Sequence, residues 1–238
     1  MFSFFKPKDI GIDLGTANTL IYEKDSGIIL NEPSVIAVDA DTPKIIAVGI
    51  EAKAMLGKAP KNINVVRPLQ DGVISDFDKT ADMLKTFMER AIKTNKIKNF
   101  RVAVGVPTGV TEVERRAVEE VVRNMGATEV YIMDEPMAAA IGSGLPVDGN
   151  TGCMIADIGG GTTDVAIIAL GGIVSSTSIR HAGDKFNEAI VQYMRKRHAL
   201  LIGEKTAEEL KINIGCACMD EDEFGNEIIK TMNARGRD

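Results

Sequence analysis

Cysteine is scarce in this 238-residue chain. Cys153, Cys216 and Cys218 are too few and too unevenly spaced for a disulfide framework, which points to a reducing, cytoplasmic setting. Only His181 and His198 are available to complete a thiolate metal site with Cys216 and Cys218, and neither stands at a ligand spacing. No apolar run approaches the roughly 18 residues of a membrane-spanning helix, and no cleavable leader is evident. Charge of neither sign dominates, because 28 Lys and Arg against 34 Asp and Glu leave only −6; nothing here calls for a nucleic-acid partner. Two familiar phosphate-binding signatures, G-x-x-x-x-G-K-[ST] and G-x-G-x-x-G, are also missing.

What is present is an ordinary globular composition, 45% hydrophobic and 26% charged, long enough for one large or two modest domains. Its centre is Thr151-Gly-Cys-Met-Ile-Ala-Asp-Ile-Gly-Gly-Gly-Thr-Thr-Asp164, an apolar strand followed by a carboxylate, three glycines and two hydroxyls. Backbone N–H groups at Gly159, Gly160 and Gly161 can approach an anion closely, and Asp157 at the strand end is placed to hold Mg²⁺ through water. Ile10-Gly-Ile-Asp-Leu-Gly-Thr-Ala-Asn-Thr-Leu-Ile-Tyr22 repeats the design, with Asp13 matching Asp157 and Gly15 matching Gly159. Two such hairpins facing each other would grip a polyphosphate from both sides.

Along the chain, Asn31-Glu-Pro-Ser34 ends the first hairpin unit, and Val35–Val38 and Ile45–Val48 read as short strands of a β-rich insertion. A helix starts near Asp78, capped by Asp78 or Thr80, with Leu84, Phe87, Met88, Ala91 and Ile92 inward. Arg101–Val106 reads as a buried strand, and Thr111 to Glu114 as a capping box opening a helix whose face runs from Val113 to Met125. Glu129–Met133 is the next strand, and Pro136 opens the helix after it. Beyond the linker-like Leu145–Asn150 and the second hairpin, Gly183–His198 forms a helix with Phe186, Ala189, Ile190, Tyr193 and Met194 inward. Thr206 caps another helix, and Glu227–Met232 has the composition of a strand. The alternation predicts an α/β fold.

Glu135, between a strand and a helix start, can orient an attacking water in a nucleotide triphosphatase; equally, an acidic residue beside Pro136 favours a helix N-terminus electrostatically. Phe2, Phe4 and Phe5 beside Lys6 and Lys8 suit a bilayer interface, and suit a frayed terminus as well.

At these residues the chain resembles the MreB/Mbl family of shape-determining filament proteins, within the actin-like ATPase superfamily. The marks are Asp13-Leu-Gly-Thr-Ala-Asn-Thr19, Asn31–Ser34, Gly105-Val-Pro-Thr-Gly109 with Glu114-Arg-Arg116, Asp134-Glu-Pro-Met-Ala-Ala-Ala140, Asp157–Thr163, Ala182–Tyr193 and Ile202–Lys211. The resemblance implies an actin-like fold of duplicated, ribonuclease H-like lobes closing over Mg-ATP. The lobes would be residues 1–146, with an insertion at about 35–77, and residues 147–238, the second one incomplete. Thr16, Ala17 and Asn18 would meet the phosphates from one lobe, and Gly160, Gly161 and Thr162 from the other. Glu208, Glu209, Leu210 and Lys211 would line the nucleoside end, Asp13 and Asp157 would serve Mg²⁺ through water, and Glu135 would act on the water.

The implied activity is hydrolysis of ATP coupled to polymerisation into paired protofilaments on the inner face of the cytoplasmic membrane, directing wall elongation and rod shape. RodZ, MreC and MreD are the implied partners. Membrane contact would come from Phe2, Phe4 and Phe5 or from Ile97 and Phe100. The family pattern continues past this C-terminus with an adenine-holding turn, so a truncated, polymerisation-defective remnant is one alternative. A soluble phosphotransferase or chaperone ATPase of the same superfamily is another.

Overall fold

The computed structural model describes residues 7–70, 72–92, 100–218 and 228–237. Phe2, Phe4, Phe5 and Ile97 lie outside the described residues. The chain divides into two compact units, residues 1–180 and residues 181–238.

The first unit opens with a three-stranded antiparallel run, β1 (Lys8–Leu14), β2 (Asn18–Glu23) and β3 (Gly27–Pro33). A small sheet follows, built from β4 (Ile36–Asp39), β5 (Ile45–Val48) and β6 (Ile63–Val66), with the short helix α1 (Ile50–Met55) between the last two. The short strands expected at 35–38 and 45–48 are both in it, and Val35, Ala37 and Ala52 form its core. A two-residue hairpin, β7 (Leu69–Gln70) with β8 (Val73–Ile74), leads into α2 (Phe77–Ile92). Then come β9 (Phe100–Val106), α3 (Glu112–Asn124), β10 (Ala127–Asp134) and α4 (Glu135–Gly142).

Strands β9 and β10 join the first run in parallel, giving one sheet in the order β10-β9-β1-β2-β3. The period-2 alternation of β1 and β9 sends Ile10, Ile12, Leu14, Val102, Val104 and Val106 to one face. There they meet Met83, Leu84, Phe87 and Met88 of α2 and Val118, Val121 and Val122 of α3. The opposite face of β9 and β10 receives α4, which also packs against a second sheet, β11 (Cys153–Ile158), β12 (Thr163–Ala169) and β13 (Gly172–Ile179). Ala140 of α4 is buried with Ala166 and Ile168 of β12. Both halves of the sequence repeat therefore fold as strand, tight turn, strand, with a third antiparallel strand and a bulge between the second and third.

The second unit is a pair of packed helices, α5 (Gly183–His198) and α6 (Glu204–Ile214), around Ile202, Ala207 and Leu210. Its details depart from sequence expectation. Phe186 and Tyr193 are half-exposed while polar Asn187 is buried, so the inner face of α5 is rotated towards Ile190, Val191 and Met194. Helix α6 starts at Glu204 after Gly203, leaving Thr206 inside its first turn rather than at its cap. Residues 228–232 form no strand, because no partner strand in the described residues accepts them.

In the first unit, α2 is capped by Asp76, whose Oδ1 accepts from the Lys79 N–H at 3.0 Å, and neither Asp78 nor Thr80 does this. In α3 the capping box forms as expected: the Thr111 hydroxyl accepts from the Glu114 N–H, and the Glu114 carboxylate accepts from the Thr111 N–H at 2.6 Å. Val113, read as part of the inner face, is instead exposed at the first turn. The capping bonds hold the Glu114 carboxyl below its ordinary value. Thr111→Ala is expected to cost about 1 kcal/mol of stability in urea unfolding at neutral pH. NMR titration should show the Glu114 pKa rising back towards its ordinary range.

Candidate functional site

Strand β1 runs into the turn 15–17 with Asp13 opposite Leu20, and β11 runs into the turn 159–162 with Asp157 opposite Asp164. The two turns touch. A Cβ added at Gly160 would stand 2.5 Å from the Ala17 Cβ and 3.1 Å from the Ala17 N, closer than any side chain tolerates. The glycine is what lets the two backbones meet.

Around this contact the turns are tied down. Ser34 donates from its hydroxyl to the Gly15 carbonyl at 2.6 Å, shares a 2.9 Å hydrogen bond with the Thr19 hydroxyl, and donates its N–H to the Ala17 carbonyl at 3.0 Å. In the same motif Glu32 accepts from the Ile50 N–H at the start of α1. Gly72, at φ +79°, donates its N–H to the Thr16 hydroxyl oxygen at 2.9 Å. A Cβ there would meet Pro107 Cγ at 2.5 Å and Thr162 Cγ2 at 3.1 Å, so the β7–β8 hairpin is wedged between both turns and the end of β9. Thr16 and Thr162 are buried.

Below the turns, acidic groups converge. Glu135 is the first residue of α4, and Arg115 of α3 fixes the residue before it through a 2.5 Å ion pair with Asp134. Burial raises the Glu135 carboxyl from 4.5 to about 8, helped by the nearby charges of Asp13, Asp164 and Asp157. Asp13, open to solvent on one side but closed in by protein elsewhere, is raised to about 6 by desolvation and then by Asp157. Asp157 is raised by burial and by Asp164. Every charged neighbour that acts on these three groups is another carboxylate.

Asp164 is the member the sequence reading passed over. It is 2% exposed and accepts from the Thr108 N–H at 3.1 Å. Hairpin register is the signal for it: Asp157 and Asp164 flank the turn 159–162 and stand opposite each other across β11 and β12. The Thr108 hydroxyl nearby is buried without a partner.

Hard oxygen donors lacking a cation of their own fit Mg²⁺. Among the described residues no three His, Cys, Asp or Glu side chains are arranged to ligate one ion directly. The remaining expected residues lie elsewhere. Ala17 and Gly161 are in the two turns and Asn18 opens β2, whereas Glu208, Glu209, Leu210 and Lys211 are on α6 in the second unit. Leu210 is buried in that unit's core, and the Lys211 ammonium donates to the Gly183 carbonyl at 2.9 Å. Phe100 is corrected by the structure: it is 1% exposed in the main core, packed at the start of β9, and is not available to a bilayer.

A carboxyl whose folded pKa is raised binds its proton more tightly folded than unfolded. Its stabilisation is therefore complete below about pH 4.5 and is lost as pH climbs through about 8. One such proton is worth about 1.4 kcal/mol per pH unit at most. The cation-free chain should lose urea resistance between mildly acidic and mildly alkaline pH, and Glu135→Gln should flatten that decline. Identical pH profiles would remove the buried-carboxylate account. Gly160→Val should leave the fold standing yet separate the turns, read as loss of Mg-nucleotide binding by calorimetry.

Comparison with known proteins agrees with this architecture. The family model described as MreB/Mbl protein matches residues 7–238. Cell shape-determining protein MreB of Escherichia coli K12 is 50% identical over 234 residues, covering 96% of this chain and 66% of that protein. Cell shape-determining protein Mbl of Bacillus cereus is 45% identical over 231 residues, covering 97% of this chain and 68% of its own length. The crystal structure of MreB5 of Spiroplasma citri bound to AMPPNP superposes with a TM-score of 0.85 at 43% identity, over 91% of this chain and 65% of that one. The chain thus spans about two-thirds of the length of the curated relatives it matches. Its fold is the actin-like ATPase fold, and the chain belongs to the MreB/Mbl family.

Proposed function

We propose that the chain acts as an ATP-dependent, actin-like cytoskeletal protein whose filaments maintain cell shape. The observation that carries this reading is the contact of the two turns above four carboxylates with no cation among the groups that perturb them. Support comes from relatives described as cell shape-determining and from the MreB5 structure bound to AMPPNP.

In this reading the phosphates lie against Thr16, Ala17 and Asn18 on one side and Gly160, Gly161 and Thr162 on the other. The Thr16 hydroxyl already accepts from Gly72, so its own hydrogen is left to donate to a phosphoryl oxygen. Asp13 and Asp157 hold Mg²⁺ through water, and the ion when bound supplies positive charge to the phosphoryl oxygens. Glu135 takes the proton of the attacking water. In the cation-free site its carboxyl is largely protonated at neutral pH and is a poor base, so the residue becomes competent only as added positive charge lowers its pKa. Hydrolysis is thereby tied to an occupied site.

The proposal extends to residues 1–146 and 147–238 as the two lobes, and to Glu208–Lys211 at the nucleoside end. It includes paired protofilaments on the inner membrane face, held there by Phe2, Phe4, Phe5 and Ile97, with RodZ, MreC and MreD as partners. Glu135→Ala should bind Mg-ATP with unchanged affinity and release phosphate about 10²–10⁴-fold more slowly. Normal phosphate release by that variant would sink the role given to Glu135, and failure of the unaltered chain to bind Mg-ATP would sink the reading as a whole.

A further inference from the structure

The second unit concentrates positive charge at one end. Helix α5 finishes in Arg195, Lys196, Arg197 and His198, all exposed. Ala199 then turns the chain at φ 51°, and Leu201 pairs antiparallel with Arg237 through backbone hydrogen bonds of 2.7 and 2.9 Å. Between the paired strands Gly236 lies so close that a Cβ would stand 2.4 Å from the Leu201 carbonyl oxygen. Residues 235–237 are thus strapped to the connection that follows α5, and Arg235 and Arg237, both exposed, join the cations at the helix end.

Cations in a last helical turn are ordinarily explained by the helix dipole, which accounts for residues 195–198. It does not account for Arg235 and Arg237, which come from about forty residues further along and add like-charge repulsion. Among the described residues none of Arg195, Lys196, Arg197, Arg235 and Arg237 makes a salt bridge, whereas Lys185 and Lys205 of the same unit are paired with Glu188 and Glu209. Five uncompensated cations in a chain of net charge −6 mark a surface for a polyanion.

The neighbours of the cluster say which kind. Tyr193, 56% exposed, lies edge-on to His198 at 5.7 Å, and Leu201, 50% exposed, is the residue to which Arg237 is bridged. An acidic peptide would meet the charges and leave these apolar groups in water. A bilayer interface takes both, with cations at anionic headgroups and tyrosine and leucine at the acyl boundary. We propose that the end of α5, with the strap 235–237, is a docking surface for an anionic lipid bilayer. It uses residues other than the N-terminal phenylalanines and does not depend on nucleotide.

The test uses the full chain with Phe2, Phe4 and Phe5 replaced by serine, so that the N-terminal segment does not mask the result. Co-sedimentation is measured with phosphatidylglycerol–phosphatidylcholine vesicles and with phosphatidylcholine alone. Binding to the anionic vesicles only is expected, weakened by salt and reduced about tenfold or more in the Arg195→Gln, Arg197→Gln, Arg235→Gln, Arg237→Gln variant. Circular dichroism should show that variant folded, since all four side chains are exposed. Binding that survives the four substitutions, or that is equal on neutral vesicles, or absent from the serine background, overturns the proposal. Capture of poly-glutamate without vesicle binding also overturns it, by assigning the surface to an acidic protein. Nucleotide affinity is expected to be unchanged in the same variants, so a failure of the ATP-dependent reading would be seen separately.

Discussion

Burial of Asp13, Glu135 and Asp157, and after it the like-charge repulsion among them and Asp164, is the constraint around which the first unit is arranged. Asp13, Glu135 and Asp157, buried this close together, hold their protons more tightly than free carboxyls. What brings them together is backbone contact between two turns, possible because Gly160 has no side chain to collide with Ala17. A methyl group at that point would push the two turns apart.

The scaffold around the acidic groups is arranged to resist this repulsion. Helix α4 packs against both sheets, so Glu135 at its first position is held relative to Asp13 on β1 and Asp157 on β11 at once. Arg115 steadies the residue before it, Ser34 pins the first turn, and Gly72 joins the first turn to the second through Thr16 and Thr162. Three motifs that look like unrelated family marks along the chain, Asn31–Ser34, the Arg115 stretch and the Gly105–Gly109 loop, thus act on one place. Their roles are mechanical: each supplies a hydrogen bond or ion pair that fixes a turn, a helix start or the Asp164 carboxylate.

The second unit follows a different logic. Its small core around Ile202, Ala207 and Leu210 leaves large apolar side chains such as Ile212 in solvent, and at the end of α5 it collects cations that make no salt bridge among the described residues.

Local pattern was enough to read the duplicated hairpins, the α2 stripe, the Thr111 capping box and the extent of α5, because each depends on periodicity or on residues three or four apart. The matching positions of Asp13 and Asp157 near the ends of β1 and β11, and the place of Glu135 directly after β10, were also legible from the order of residue types. Asp164 escaped notice because its importance comes from lying opposite Asp157, a relation set by register between strands. Phe100 and Phe186 were misjudged for the same reason in opposite directions: neither composition nor period tells which face a neighbouring element will cover. The order of apolar and polar residues determined which elements form. Contacts between residues far apart in the chain decided which turns touch, which carboxylates share a cleft and which cations stand unpaired, because only packing sets those distances.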